Sequence, residues 1–132
     1  MEHVIVIKIG GVSSQHLSQE FIQQIKQWKA ENKQVVIVHG GGFAINQLME
    51  EEHVPITKKN GLRVTRQSDM KLVSYALLNI VGANLVKKLN QSSLDSVQLL
   101  SNMPKVVQAD FLDKATYGYV GNVSHIETEI LE

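Results

Sequence analysis

Two glycine clusters follow two short apolar segments, and a lysine stands beside the first cluster. Lys8 precedes Gly10 and Gly11, and the second cluster, residues 40–42, follows His39. Because glycine has no Cβ, main-chain N–H groups at such positions can approach an anion closely. The second cluster also leads into a predicted helix, whose first turn has unpaired donors and a partial positive charge. Amide groups and one ammonium group in this arrangement predict a site for phosphate or carboxylate.

Other glycine-rich motifs do not fit these clusters. Neither cluster contains the Walker pattern G-x-x-x-x-G-K-[ST], and the pattern that begins at Gly40 has Ile45 where the dinucleotide fingerprint requires glycine. Residues 39–42 match the His-Gly-Gly-Gly run of some esterase oxyanion holes, but the chain has no G-x-S-x-G nucleophile elbow. Glycines that only shape tight turns are the alternative interpretation. Both clusters directly follow an apolar segment, and this equivalence favours anion binding over a purely structural role in turns.

A locally basic turn supplies a second candidate contact for an anion. The pair Asn60-Gly61 suits a type I′ turn and predicts a β-hairpin. Between positions 58 and 69 four cations and one carboxylate give a local charge of +3, from Lys58, Lys59, Arg63, Arg66 and Asp69. Arg63 carries a fork of donors that can bind a carboxylate through two parallel hydrogen bonds. A solvated charged hairpin is the open alternative.

The elements that must position these residues alternate between strand and helix. Residues 4–9 and 35–39 are predicted strands, and residues 21–31 between them form a predicted helix for which Ser18 offers a cap. A short helix follows the second strand, with Ile45, Leu48 and Met49 on one face. This βαβ order favours a parallel sheet. Ligands bind beyond the carboxyl ends of such strands, so both glycine clusters are expected to open onto one crevice.

The rest of the chain is predicted to form one long helix and further strands. Ser68 is expected to cap a helix from Asp69 to Leu89, whose apolar residues cover much of its circumference. Such a helix packs on more than one side, against its own sheet and against a partner chain. Residues 96–100, 106–109 and 117–123 are predicted strands, the last two as a hairpin.

Composition limits the class of protein. The 132 residues provide room for a single domain, 1–132, and 13 basic residues balance 13 acidic ones, which argues against a nucleic-acid binder. The absence of cysteine excludes disulfides, thiolate zinc sites and cysteine nucleophiles, and the five histidines lack metal-ligand spacing, so no metal site is predicted. The sequence has neither a secretory signal nor an uncharged apolar stretch of about 18 residues, so we expect a cytoplasmic protein with no membrane span.

Three segments together resemble the N-acetylglutamate kinases of the amino acid kinase family. They are residues 6–11 (Val-Ile-Lys-Ile-Gly-Gly), residues 36–49 with their His-Gly-Gly-Gly run, and residues 60–65 (Asn-Gly-Leu-Arg-Val-Thr). Residues 117–121, Tyr-Gly-Tyr-Val-Gly, match further along the chain. The Asn-Gly-Leu-Arg-Val-Thr run is the specific part, because aspartate kinases, uridylate kinases and glutamate 5-kinases share the lysine-glycine opening without this combination.

The resemblance implies a fold and a reaction. The fold is a three-layer αβα sandwich with a mainly parallel sheet plus β-hairpins. The reaction transfers a phosphoryl group from ATP, with Mg²⁺, to the side-chain carboxylate of N-acetyl-L-glutamate in arginine biosynthesis. In the family pattern Lys8 would stabilise the transferring phosphoryl group, and Gly10 and Gly11 would lie along the phosphate path.

The substrate contacts that the resemblance implies lie in the other two segments. The amides of Gly41 and Gly42 would hold the reacting carboxylate and phosphoryl oxygens, and Arg63 would bind the α-carboxylate. The helix from Asp69 to Leu89 would form a homodimer interface. A glutamate side chain is already ionised at pH 7, so this reaction needs charge neutralisation and positioning rather than a general base. Lysine and glycine amides can supply both.

The chain departs from the family pattern at its end and at one loop. The family continues beyond Glu132 through its ATP-binding half, so residues 1–132 are expected to be the acyl-amino-acid-binding half, unable to transfer phosphate alone. Residues 100–104, including Asn102, Met103 and Pro104, replace a loop that usually contains glycine and aspartate. The start at the first strand, without the extra helix of arginine-sensitive hexamers, predicts a dimer without arginine feedback. A non-catalytic binding or dimerisation module and another amino acid kinase are the alternatives.

Overall fold

The computed structural model describes residues 3–100 and 105–131 and confirms the predicted mixed α/β fold. Strands β1 (Val4–Ile9) and β2 (Gln34–His39) run parallel, with Ile9 opposite His39. Helix α1 (Gln19–Ala30) connects them, as predicted. The β-branched residues of both strands suit a pleated sheet with a packed face. The two strands therefore end at the same edge of the sheet.

Helix α1 begins where the sequence places its cap and packs on one face of the sheet. The Ser18 hydroxyl accepts a hydrogen bond from the N–H of Phe21 at 3.1 Å. The first core cluster consists of buried side chains from α1, from the long helix described below and from the segment after it. Its members are Ile22 and Ile25, Leu85 and Leu89, and Leu94. The strands contribute Ile7, Ile9, Val35 and Ile37 to it. The opposite face of the sheet carries Val6 and Val38, which are exposed among the described residues.

Helix α2 (Gly42–Glu51) and the first half of the long helix form the second core cluster. Its buried members are Ala44, Ile45, Met49, Ala76 and Val81. The predicted apolar face of α2 is confirmed, since Ile45 and Met49 are buried and Leu48 packs against them. This packing fixes the direction of α2 and so the place of its first turn.

The long helix runs from Gln67 to Gln91 and changes its winding along its length. The helix begins with a 3₁₀ turn (Gln67–Asp69), which is followed by helix α3 (Met70–Tyr75). A π-helical segment (Ala76–Gly82) forms its middle, and helix α4 (Ala83–Gln91) completes it. The carbonyl of Leu78 in the π segment accepts a hydrogen bond from Nε2 of Gln98 at 3.0 Å. A π turn is wider than an α turn, and here a side chain from outside the helix bonds one of its carbonyls.

The long helix also meets the length and composition criteria for a membrane-crossing helix, over 25 residues. Core helices of water-soluble domains pass the same test. This helix contributes residues to both core clusters, including Val81 and Leu85. Packing within the described part of the chain buries 28% of its most apolar stretch.

The predicted cap of the long helix is wrong by two residues, because the helix begins at Gln67 with Arg66 as its N-cap. Ser68 lies inside the 3₁₀ turn, and the carboxylate of Asp69 instead accepts from the N–H of Arg66 at 3.1 Å. The Arg66 guanidinium donates to both oxygens of the same carboxylate at 3.0 Å, and the Ser68 hydroxyl adds a bond at 3.3 Å. A carboxylate offers more acceptor sites and a charge, which a serine hydroxyl cannot match. These bonds, those of Arg66 first, lower the pKa of Asp69 although its burial acts the other way.

We expect the Asp69 carboxylate to stabilise the fold in a pH-dependent way. Because the pKa of Asp69 is lowered in the folded chain, its contribution is complete above the unfolded-state pKa and is lost as the pH falls through the folded-state pKa. Asp69→Asn should therefore lower the free energy of unfolding by about 1–2 kcal/mol at pH 7, with the difference from the wild type disappearing at low pH. Urea denaturation at pH 7 and at pH 3 measures this, with Asp110→Asn on exposed β5 as the control. An equal deficit at both pH values would contradict it.

The predicted hairpin is confirmed with its turn chemistry. Strands β3 (Lys58–Lys59) and β4 (Leu62–Arg63) pair antiparallel. Asn60 and Gly61 between them have φ of 51° and 78°, the positive values that a type I′ turn requires at both central positions. The turn thus places Arg63 directly opposite Lys58.

The C-terminal hairpin is also confirmed, although its second strand begins at Gly121 and not at Tyr117, and it is joined to the basic turn. Strands β5 (Val107–Phe111) and β6 (Gly121–Ile126) pair antiparallel on either side of the short helix α5 (Lys114–Tyr117). The N–H of Thr65 donates to the carbonyl of Tyr117 at 2.9 Å, and the N–H of Tyr119 donates to the carbonyl of Thr65 at 2.7 Å. These bonds tie the segment after β4 to the hairpin.

The predicted strand at residues 96–100 is wrong, since this segment has no regular structure. Side-chain bonds hold it instead. The N–H of Ser96 donates to Oδ1 of Asn90 at 2.8 Å, and Gln98 bonds the long helix as described above. The Asn102-Met103-Pro104 replacement lies outside the described residues.

Candidate functional site

The two glycine clusters lie side by side at the carboxyl ends of β1 and β2. The N–H of Gly40 donates to the carbonyl of Ile9 at 3.1 Å. A Cβ built on Gly11 would lie 3.0 Å from Cα and 3.1 Å from N of Gly41. The two main chains therefore touch, with no room for a side chain at Gly11. Both clusters border one crevice, as the parallel arrangement of the strands predicts.

The loop after β1 is held by bonds that sequence reasoning missed. Ser14 is buried, donates from Oγ to the carbonyl of Gly11 at 2.6 Å, and donates from N to the carbonyl of Gly10 at 3.1 Å. Nζ of Lys88, on α4, donates to the carbonyls of Ser14, at 3.4 Å, and of Gln15. The carbonyl oxygens of Gly10 and Gly11 therefore both accept hydrogen bonds. This reduces the repulsion between the loop and an anion. No local sequence signal links Lys88 to residues so far away.

The second cluster forms the start of helix α2. The first N–H groups of an α-helix have no partner within it and carry part of the positive end of the helix dipole. Gly41 is buried beneath the long helix, where a Cβ would lie 2.7 Å from Cδ2 of Leu77. Gly42 is exposed, and a Cβ built there would meet no atom within 4 Å. The long helix thus supports one side of the cluster while Gly42 faces open space.

Lys8 lies on β1 two residues before Gly10 and opposite Val38 of β2. It is exposed, on the sheet face that also carries Val6 and Val38. Within residues 3–100 and 105–131 its ammonium group makes no salt bridge or hydrogen bond. Lys8 thus lies on the strand that leads into the first glycine cluster, with its side chain exposed to solvent.

The hairpin brings Arg63 to the first turns of α2. Nη2 of Arg63 lies 3.5 Å from the carbonyl of Gly42 and also donates to Oδ1 of Asn46, and Nη1 lies 3.4 Å from Sδ of Met49. Lys58 and Lys59, on the same hairpin, are exposed. The structure therefore singles out Arg63 from the basic turn, next to the second cluster.

The remaining candidates do not add chemistry to the crevice. Nδ1 of His39 lies 3.1 Å from the carbonyl of Gly40, a contact within the turn itself. In the described parts of the chain no group of three or more His, Cys, Asp or Glu residues could hold a metal ion. The glycine clusters and Arg63 thus lie together, and Lys8 lies on the strand that leads into the first cluster. Such a set binds and orients anions and stabilises negative charge.

We expect Gly11→Ala to destabilise the fold, because the new Cβ would meet main-chain atoms rather than flexible side chains. The loops would have to separate by a few tenths of an ångström, which should lower the free energy of unfolding by about 1–3 kcal/mol. Gly40→Ala is the matched control, since its Cβ would lie 3.5 Å from N of Gly11, an ordinary contact. Urea denaturation of both variants checks this. Equal stability of Gly11→Ala and the wild type would mean that the loops are not in contact.

The fold and the candidate site define an α/β protein with two glycine clusters at the carboxyl ends of parallel strands and Arg63 beside the second cluster. The model of the amino acid kinase family matches residues 3–132. The chain therefore belongs to the amino acid kinase family.

Curated relatives in several bacteria are named acetylglutamate kinase. The protein of Streptococcus mutans serotype c is 60% identical over all 132 residues, which make up 54% of its length. The proteins of Streptococcus sanguinis and Staphylococcus epidermidis are 53% and 43% identical over the same 132 residues, again 54% of their lengths. The chain spans about half the length of the curated relatives it matches.

Solved structures agree with the family. The crystal structure of smu.665 from Streptococcus mutans superposes with a TM-score of 0.93 at 60% identity, over 98% of this chain and 53% of that one. N-acetylglutamate synthase from Neisseria gonorrhoeae, complexed with coenzyme A and N-acetyl-glutamate, superposes with a TM-score of 0.66 at 19% identity, over 98% of this chain and 30% of that one. The second similarity shows a shared fold.

Proposed function

We propose that this chain forms the acyl-amino-acid-binding half of an acetylglutamate kinase. The observation that carries the proposal is the meeting of three features at one crevice: Gly11 touching Gly41, the start of α2 at Gly42, and Arg63 beside the Gly42 carbonyl. The relatives at 43–60% identity are named acetylglutamate kinase, and this supports N-acetyl-L-glutamate as the substrate. Residues 1–132 act as one domain in this proposal, and the ATP-binding half lies outside it.

The proposed reaction joins two anions, so the protein must neutralise charge and align them. An oxygen of the side-chain carboxylate of N-acetyl-L-glutamate attacks the γ-phosphorus of ATP. The bond from phosphorus to the bridging oxygen breaks, and ADP leaves with the electron pair. The carboxylate is ionised at pH 7, because its ordinary pKa is about 4.3, so no proton has to be removed. The transfer is then governed by positioning and electrostatic stabilisation.

Each site residue has a defined part in this proposal. Lys8 stabilises the charge on the transferring phosphoryl group, and Gly10 and Gly11 border its path. The amides of Gly41 and Gly42 hold the reacting oxygens.

Arg63 binds the α-carboxylate of the substrate, at the far end from the reacting group. A bidentate pair of this kind fixes both the place and the orientation of a carboxylate. The contacts of Arg63 with the start of α2 support this role.

The co-substrate in this proposal is ATP with Mg²⁺. The described residues contain no group of three or more metal-ligating side chains, so they do not fit a protein-held Mg²⁺ site and no step is assigned to the ion in this chain.

We also propose a cytoplasmic homodimer that associates through the long helix. The side of that helix near Tyr75 supports it, because Tyr75 is a large hydrophobic side chain that is 53% exposed. Sedimentation velocity of the chain and of Tyr75→Glu tests it, with a monomer expected for the variant. A monomeric wild type would contradict it.

An ADP-release assay tests the kinase proposal. We expect no acetylglutamate-dependent ADP from this chain alone, and clear release from the same chain continued by the second half of the Streptococcus mutans relative. Lys8→Met in the continued chain should lose this release. A continued chain that folds, as thermal melting shows, but releases no ADP with acetylglutamate would refute the kinase proposal. Release with aspartate or glutamate instead would indicate another member of the family.

A further inference from the structure

The amide side chain of Asn46 contacts the guanidinium of Arg63, and the proposed reaction assigns it no role. Asn46 lies four residues after Gly42 on α2, and its Oδ1 accepts a hydrogen bond from Nη2 of Arg63. Arginine carries only donors, so the amide oxygen and not the nitrogen must face it. Asn46 is half-buried, as is Arg63. The contact joins two residues that are 17 positions apart in sequence.

The other two contacts of the guanidinium are weaker. The carbonyl of Gly42 lies 3.5 Å from Nη2, at the limit of a hydrogen bond, and the sulfur of Met49 is a poor acceptor at 3.4 Å from Nη1. Asn46 is therefore the main acceptor that holds the Arg63 side chain against α2.

These contacts leave donors for a ligand. Each Nη carries two N–H groups, and Asn46 and Met49 take one each. A carboxylate that replaced the long contact with Gly42 would find one N–H on each Nη. Two parallel N–H groups are the arrangement that binds carboxylates best.

A neutral acceptor suits this position for a physical reason. An arginine side chain loses rotamer freedom when it binds a ligand, and this cost falls if the side chain is already held in place. An amide oxygen can hold the guanidinium without neutralising its charge, so the attraction for an anion remains.

We propose that Asn46 is a positioning residue that orients the Arg63 guanidinium for the α-carboxylate of the substrate. The proposal rests on the proposed function, in which Arg63 binds that carboxylate. Asn46 then affects substrate binding through Arg63 and has no independent effect on it.

A double-mutant cycle measured by titration calorimetry with N-acetyl-L-glutamate tests this. The chains are the wild type, Asn46→Ala, Arg63→Ala and the double variant. Asn46→Ala should weaken binding about tenfold, the order expected for losing one hydrogen bond to a charged group, and should cause no further loss when Arg63 is already alanine. Gln47→Ala is the matched control, because Gln47 is exposed and bonds only Glu51 at 2.9 Å among the described residues. Unchanged affinity in Asn46→Ala, or losses that add in the double variant, would overturn the proposal.

A second measurement separates this proposal from the proposed function. If the wild-type chain binds no N-acetyl-L-glutamate, the proposed function fails for this chain, and the orientation of Arg63 is then judged without ligand. Nuclear magnetic resonance of the ¹⁵N-labelled guanidinium should show restricted rotation of Arg63 in the wild type and in Gln47→Ala, and faster rotation in Asn46→Ala. Equally fast rotation in all three chains would overturn the role of Asn46.

Discussion

Replacing Arg63 by alanine is expected to weaken binding of N-acetyl-L-glutamate by about 30- to 150-fold, which corresponds to about 2–3 kcal/mol for a charge-assisted pair of hydrogen bonds. The guanidinium is the one group of the basic turn that reaches the start of α2, where it contacts Gly42 and Asn46. Arg63→Lys should recover only part of the loss, because an ammonium group keeps the charge without the planar fork. Titration calorimetry measures all three chains.

The control for this prediction is Lys58→Ala. Lys58 lies directly opposite Arg63 in the hairpin and is exposed, so its removal changes the net charge by the same amount without touching α2. Its effect on affinity should stay within about a factor of two to five, as for a screened surface charge. Equal losses in Arg63→Ala and Lys58→Ala would mean that the hairpin acts through general charge and holds no specific carboxylate contact.

The second large effect is expected at Gly118, for reasons of shape alone. Gly118 has φ of 70° and ψ of −128°, and a Cβ there would lie 2.1 Å from the carbonyl oxygen of Thr65. That oxygen accepts the hydrogen bond from Tyr119 that ties the hairpins together. Gly118→Ala should therefore lower the free energy of unfolding by about 3–5 kcal/mol, from the strained backbone and the overlap together.

The variant Gly61→Ala separates the cost of the strained backbone from the cost of the overlap with Thr65. Gly61 also has positive φ, at 78°, but a Cβ there would meet no atom within 4 Å. Its cost should be about 1–2 kcal/mol, the ordinary penalty for a side chain in the left-handed region. Urea denaturation of both variants tests the comparison. Similar losses for the two would show that the main chain at Gly118 does not touch Thr65.

The sequence predicts most of the segment from β1 to α2 and the hairpin of β3 and β4, because residues close together in sequence determine both. Alternating and periodic apolar residues define β1, α1, β2 and α2, and the Asn60-Gly61 pair defines a turn by its backbone preferences alone. The placement of the glycine clusters follows from the same reasoning, since neighbouring parallel strands end at one edge. Nothing beyond the order of elements is needed to bring Gly11 to Gly41.

The errors arise where distant contacts decide the local structure. Residues 96–100 have a strand-like composition, yet the bonds of Ser96 to Asn90 and of Gln98 to Leu78 hold them in an irregular path. The contact of Asn46 with Arg63 is not predicted, because the two residues meet only after the hairpin has folded onto α2. The π segment has the same apolar pattern as an α-helix, so periodicity does not reveal it.

The π segment has a consequence for how the chain tolerates deletions. A single π turn contains one residue more than the α turns that would span the same distance. Loss of one residue between Ala76 and Gly82 would leave both flanking helices facing as they do now, with Leu85 still directed into the first core cluster. The carbonyl of Leu78, which now accepts from the N–H of Ala83, would then accept from an N–H in α-helical register. The additional residue is therefore dispensable for the direction of the two flanking helices.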